Sequence, residues 1–155
     1  GRLTHVKPHG ALSNMACEDA TLARSVVAAI ESFDPELILL APALSKLALA
    51  GAVAGLRVAD EVFADRAYTD TGQLVPRGQP GALLDGADAC VRHVLRMLDA
   101  GGIVSQGGRV LRTDFHSICV HGDGPQAVAA ATAIRAALLA DGVALVPLPE
   151  ALLPA

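Results

Sequence analysis

Three short stretches carry residue types able to do chemistry. In VKPHGAL, Lys7 and His9 stand two apart; in EVFADR, Glu61 and Asp65 share parity and are followed by Arg66, Tyr68 and Arg77; in SICVHGD, His121 and Asp123 again stand two apart. Residues of equal parity point to one face while the backbone is extended, and Pro8 biases Lys7 toward that geometry. Lys7, Arg66 and Arg77 supply positive charge, and a planar guanidinium suits a carboxylate or a phosphate. His9, His121, Glu61 and Asp123 are candidates for proton transfer, with a carboxylate orienting an imidazole as the favoured pairing. His9, His121 and Asp123 are also ligand types for a divalent cation. Each group has a plainer reading as well. Lys7 can be paired with Glu61, His9 can be a satisfied buried histidine, and Asp123 can cap the helix that Pro125 opens. Asp70-Thr71-Gly72 reads as a turn.

The elements that must position these residues alternate. Apolar, β-rich runs predict strands over 3–7, 36–41, 57–63, 81–84, 116–121 and 143–147. Helical patterns fall between them, over 18–32, over 43–54 with a stop at Gly55, over 86–99 with a stop at Gly101-Gly102, and over 125–140. Gly107-Gly108 predicts a hairpin turn decorating one connection. The alternation is that of an α/β fold with parallel strands, where function collects beyond the carboxyl ends of the strands. The three chemical stretches lie at such ends. No repeat or low-complexity linker divides residues 1–155, which read as one domain.

Composition narrows the classes. Of 155 residues 52% are hydrophobic, mean hydropathy is +0.45, and only 3% are aromatic with no Trp, so Ala, Val, Leu and Ile must build the core. A net charge of −4 with no Lys/Arg run gives no footprint for nucleic acid or an anionic membrane surface. No apolar run approaches the roughly 20 residues of a membrane span, and no signal peptide opens the sequence. Cys17, Cys90 and Cys119 are odd in number and lack CxxC spacing, which predicts small buried hydrophobes and a cytoplasmic setting.

VKPHGAL, EVFADRAYTDTGQLVPRGQPGALL and SICVHGD resemble, in order and spacing, the motifs of the LamB/YcsF family, the A-subunit proteins of 5-oxoprolinase. Lys7, His9 and Asn14 match the first motif, with Ser13 where it usually has Tyr. Glu61, Asp65, Arg66, Tyr68 and Arg77 match the second, with Gly78 in place of Ser, and His121 and Asp123 match the third. The resemblance implies the C-terminal part of a (β/α) barrel of the divergent glycoside hydrolase/deacetylase type. Motifs resembling NCDLGE, FHAGD and HPGYPD do not occur, so the barrel's N-terminal strands are expected to be missing. It further implies ATP-dependent opening of the 5-oxoproline lactam to L-glutamate, with ATP and Mg, and with subunits B and C as partners. On that basis Lys7, His9, Glu61, Asp65, His121 and Asp123 are assigned catalytic roles, and Arg66, Tyr68, Arg77 and Asn14 binding of substrate or phosphate. Two other readings stand beside it: a remnant or fragment acting only in assembly, and a metal-dependent deacetylase-like hydrolase. Unpaired sheet edges would invite a second copy.

Overall fold

The structure is a computed structural model and describes residue 1, residues 3–122 and residues 126–153. In chain order it contains β1 (His5–Val6), α1 (Gly10–Glu18), α2 (Ala20–Phe33), β2 (Ile38–Pro42), α3 (Lys46–Ala54), β3 (Val58–Phe63), α4 (Ala87–Ala100), β4 (Gly102–Val104), β5 (Val110–Arg112), β6 (Ser117–Cys119), α5 (Ala127–Ala140) and α6 (Leu148–Ala151). The strands β1, β2, β3 and β6 lie in that order in one sheet, with β1–β2 and β2–β3 parallel. The expected α/β class with parallel strands is therefore present. Two compact units divide the chain: residues 1–61, 115–117 and those from 147 on form the first, residues 62–114 and 118–146 the second.

In the first unit, alternation along β2 sends side chains to two cores. Leu39 and Ala41 pack with Ala16, Ala23, Val27 and Leu47 of the helices, while Ile38 and Leu40 pack with Ala59, Leu148 and Leu152. Gly51 lets α3 close on the sheet, since a Cβ there would come within 2.6 Å of Leu39 Cδ2. Asp19 joins two helices. Its backbone N–H closes α1 on Met15, and its Oδ1 accepts from Thr21 N and Leu22 N to open α2. Those two bonds also hold its carboxyl below the usual range. The single helix expected over 18–32 is thus preceded by a second one, α1, in a stretch whose sequence suggests a loop. Only Ser13, Ala16 and Cys17 of α1 are buried, too narrow a stripe to show as periodicity.

In the second unit, α4 buries Cys90, Val94 and Met97, and α5 buries Ala130, Ile134 and Leu138; both pack with Ala64. β4 and β5 form the antiparallel hairpin that Gly107-Gly108 foretold. Gly55 and Gly101, both left-handed, terminate α3 and α4 where expected. Two expected strands do not form. Residues 81–84 make one isolated bridge, Leu83 to Arg66, because Gly81 at φ +74° turns the chain there. Residues 143–147 carry no ladder: Val143 N bonds back to Leu138 O at the helix end, and Pro147 has no N–H to contribute.

Candidate functional site

The first unit assembles a charged cluster from strand ends. Glu61 is 3% exposed, and its Oε2 meets Lys7 Nζ at 2.6 Å, while Ser117 Oγ donates to its Oε1 at 3.1 Å. Both carboxylate oxygens are thereby engaged, the condition under which a buried carboxylate is tolerated. The Lys7–Glu61 pairing is the plainer reading of these residues, and Lys7 keeps 29% of its side chain exposed. His9 is exposed and caps α1, its Nδ1 accepting from Gly10 N at 2.6 Å. It is not the buried histidine of the plainer reading. Asn14 is exposed on α1.

The second unit builds an acid–base pair into a cavity wall. His121 Nδ1 lies 2.8 Å from Asp65 Oδ2 and 3.0 Å from Oδ1, and the imidazole stacks on Phe63 with ring centroids 5.6 Å apart and planes 12° from parallel. An ionised carboxylate only accepts, so Nδ1 carries the hydrogen and Nε2 is left with the lone pair. The cavity, about 370 Å³, is lined by Asp65, Arg77, Leu84, Asp85, Cys90 and His121 among others, the size and mixture of a small-molecule site. Burial pushes the Cys90 thiol up, and Asp65 and Asp85 add to that.

The remaining residues of the central stretch form the frame of this wall. Arg66 is 5% exposed, and its Nη2 donates to Val75 O at 2.7 Å across the loop. Burial, and then Arg77, hold its guanidinium pKa below the usual value. Tyr68 is buried, its hydroxyl accepting from Phe63 N at 2.8 Å and its ring stacked on His93. Asp123 lies outside the described residues. Asp70-Thr71-Gly72 is a turn, as its composition suggests, and Gly72 has φ +85°.

Two further residues do not stand out in the sequence. Ser117 shares parity with His121 in the strand expected over 116–121, the one signal that could have marked it. His93, by its place within a helix, reads as structural or exposed; it is mostly buried against Tyr68, and burial lowers its pKa. Among the described residues no three His, Cys, Asp or Glu side chains gather as a metal site. No described helix is long and apolar enough to cross a membrane.

The LamB/YcsF family model matches residues 1–153. The 5-oxoprolinase A-subunit of Azoarcus sp. (strain BH72) is 63% identical over 150 residues, covering 97% of this chain and 59% of that protein. The protein of the same name from Nitrobacter winogradskyi is 50% identical over 146 residues, 94% of this chain and 57% of its own length. Among solved structures, a lactam utilization protein from Thermus thermophilus superposes with a TM-score of 0.81 at 39% identity, covering 93% of this chain and 57% of that one. The chain therefore spans somewhat less than three-fifths of the length of the relatives it matches.

Proposed function

The chain belongs to the LamB/YcsF family, and from that premise we propose that it works as the A component of an ATP-dependent 5-oxoprolinase, opening the 5-oxoproline lactam to L-glutamate. The names of the relatives support the lactam hydrolase class and an assembly of several subunits; subunits B and C are the partners proposed. The observation that carries the reading is the Asp65–His121 pair in the wall of a cavity that Arg77 also lines.

An unstrained amide resists water, so the lactam carbonyl needs activation, and phosphorylation of its oxygen by ATP is the activation proposed. Within this chain, Asp65 fixes the imidazole of His121 so that Nε2 can take a proton from a water attacking the phosphorylated carbonyl carbon and give it to the ring nitrogen as the C–N bond breaks. The γ-acyl phosphate of glutamate that this leaves reacts with a second water, which releases inorganic phosphate and glutamate. Arg77 offers its fork to the carboxylate of the substrate. Lys7, steadied by Glu61 and Ser117, is assigned to negative charge on an oxyanion or a phosphoryl group. Mg would arrive with the nucleotide, since among the described residues no three His, Cys, Asp or Glu side chains gather to hold it. For the same reason the metal-dependent deacetylase reading has no support in the described residues.

The test is to combine the chain with subunits B and C of a relative, supply ATP and 5-oxoproline, and follow ADP and glutamate together. Coupled formation of both, lost in His121→Ala with an intact thermal transition, is the expected result. Glutamate formation unchanged in His121→Ala would refute the assignment.

A further inference from the structure

The segment from Tyr68 to Gly81 carries Arg77 to the cavity without a helix or ladder strand of its own, and such loops are mobile unless tied down. The tip of the β4–β5 hairpin ties this one at both arms. On the outgoing arm the Gln106 backbone N–H donates to Tyr68 O at 2.7 Å, and on the returning arm its side-chain Nε2 donates to Pro80 O at 3.2 Å. Beside it Ser105 Oγ donates to Asp70 Oδ1 and accepts from Arg109 N at 3.0 Å, while Arg109 Nη1 donates to Asp70 O at 3.2 Å. Both glycines sit against this network: a Cβ on Gly107 would stand 2.6 Å from Asp70 Oδ1, and one on Gly81 would stand 2.7 Å from Gln106 Nε2, so a side chain at either would push that partner aside.

We infer that Gln106 is a positioning residue for substrate binding: by bridging the carbonyls of Tyr68 and Pro80 it closes the loop and sets where Arg77 stands. Removing the side-chain donor frees only the stretch of the returning arm between Val75 and Ala82, since the bond to Tyr68 is made by the backbone and Ala67 still holds Val75 N and Ala82 O. The stretch freed is the one that carries Arg77. The inference rests on the assignment of Arg77 to the substrate carboxylate, so its test includes readings that need no turnover.

Gln106→Met keeps length and removes the donor without adding charge. In the assembled enzyme it raises KM for 5-oxoproline about tenfold, the scale of a displaced charged contact, and leaves kcat within about twofold. Arg77→Ala raises KM at least as much, and adding Gln106→Met to Arg77→Ala changes nothing further. In the isolated chain, hydrogen exchange of residues 76–83 accelerates in Gln106→Met while α4 keeps its protection. A kcat loss without a KM change, additivity with Arg77→Ala, or unaltered exchange would each overturn the inference. Should the variant fail to fold, the wild type still decides: the Gln106 side-chain NH2 must show a ¹⁵N order parameter near the roughly 0.85 of rigid backbone, and a value below about 0.6 overturns it. If wild type fails to turn over 5-oxoproline, the hydrolase reading falls, while the exchange and amide measurements still decide the pinning of the loop.

Discussion

Asp65→Asn isolates the contribution of the acid–base pair. One carboxylate oxygen becomes an NH2 group in a place where both oxygens now lie 2.8 and 3.0 Å from the same imidazole nitrogen. The amide either sets a donor against Nδ1–H or forces the hydrogen to Nε2, the position the proposed base must keep open. The side chains of Asp65 and His121 are 22% and 18% exposed, so the pair is only lightly screened by solvent. A charge-assisted bond of this kind contributes about 1.5–3 kcal/mol, which converts to a loss of roughly 10- to 150-fold if all of it acts in the transition state. The assay is steady-state glutamate formation in the assembled enzyme, with the His121 tautomer read from long-range ¹H–¹⁵N spectra of the chain. The expected result is a fall in kcat/KM of that size, a hydrogen moved from Nδ1 to Nε2, and a thermal transition that stays cooperative with its midpoint lowered by no more than several degrees. A moved hydrogen with undiminished activity would show that the pair serves only to hold β6 near the loop base.

Arg66→Ala is expected to act on stability first: it strips Val75 O of its donor and empties a buried site, costing about 2–4 kcal/mol by urea denaturation. His93 gives the chain a pH-dependent stability. Burial lowers its folded pKa below the ordinary 6.5, so the unfolded chain binds its proton more readily, and stability falls as pH drops below about 6.5 with a slope of at most about 1.4 kcal/mol per pH unit. His93→Phe should flatten that slope in thermal scans between pH 7.5 and 5, and an unchanged slope would assign it to other groups. Gly51→Ala sets a helix-propensity gain of about 1 kcal/mol against overpacking of about 1–3 kcal/mol where the new methyl meets Leu39 and Val58. The net expected is a destabilisation of about 1 kcal/mol, and a raised midpoint would mean that Leu39 repacks freely.

What the sequence disclosed followed from strong local signals. Gly55 and Gly101 end helices because a left-handed residue turns the chain there, and the helical spacing of Val91, Val94, Leu95 and Leu98 marks α4, although the face it buries is shifted to Cys90, Val94 and Met97. The continuous apolar run of β2 is equally plain, as suits a strand buried on both faces. Weak or competing signals hid the rest. GALSNMACE buries too little to show a period, and the apolar runs at 81–84 and 143–147 are too short to separate strand from loop. At the site, strand-end parity pointed to Lys7, Glu61 and His121 as chemical groups. It could not choose His121's carboxylate, since Glu61, Asp65 and Asp123 all lay within a plausible register. Arg66 shows the limit most clearly: its type says anion binder, but its guanidinium is engaged by a carbonyl nine residues on, a contact no spacing rule foretells.

Surface loops ordinarily absorb insertions and deletions at slight cost, which is how related proteins diverge in what they accept. The 68–81 segment is closed to that route. Its arms are bonded to one hairpin tip, and a side chain at Gly81 or Gly107 would have to displace Gln106 or Asp70, which make those bonds. A residue gained or lost between the anchors would break at least one of them. Divergence in substrate preference must therefore proceed here by exchange of side chains along a path of constant length, with position 77 the place where a change of charge would be felt first.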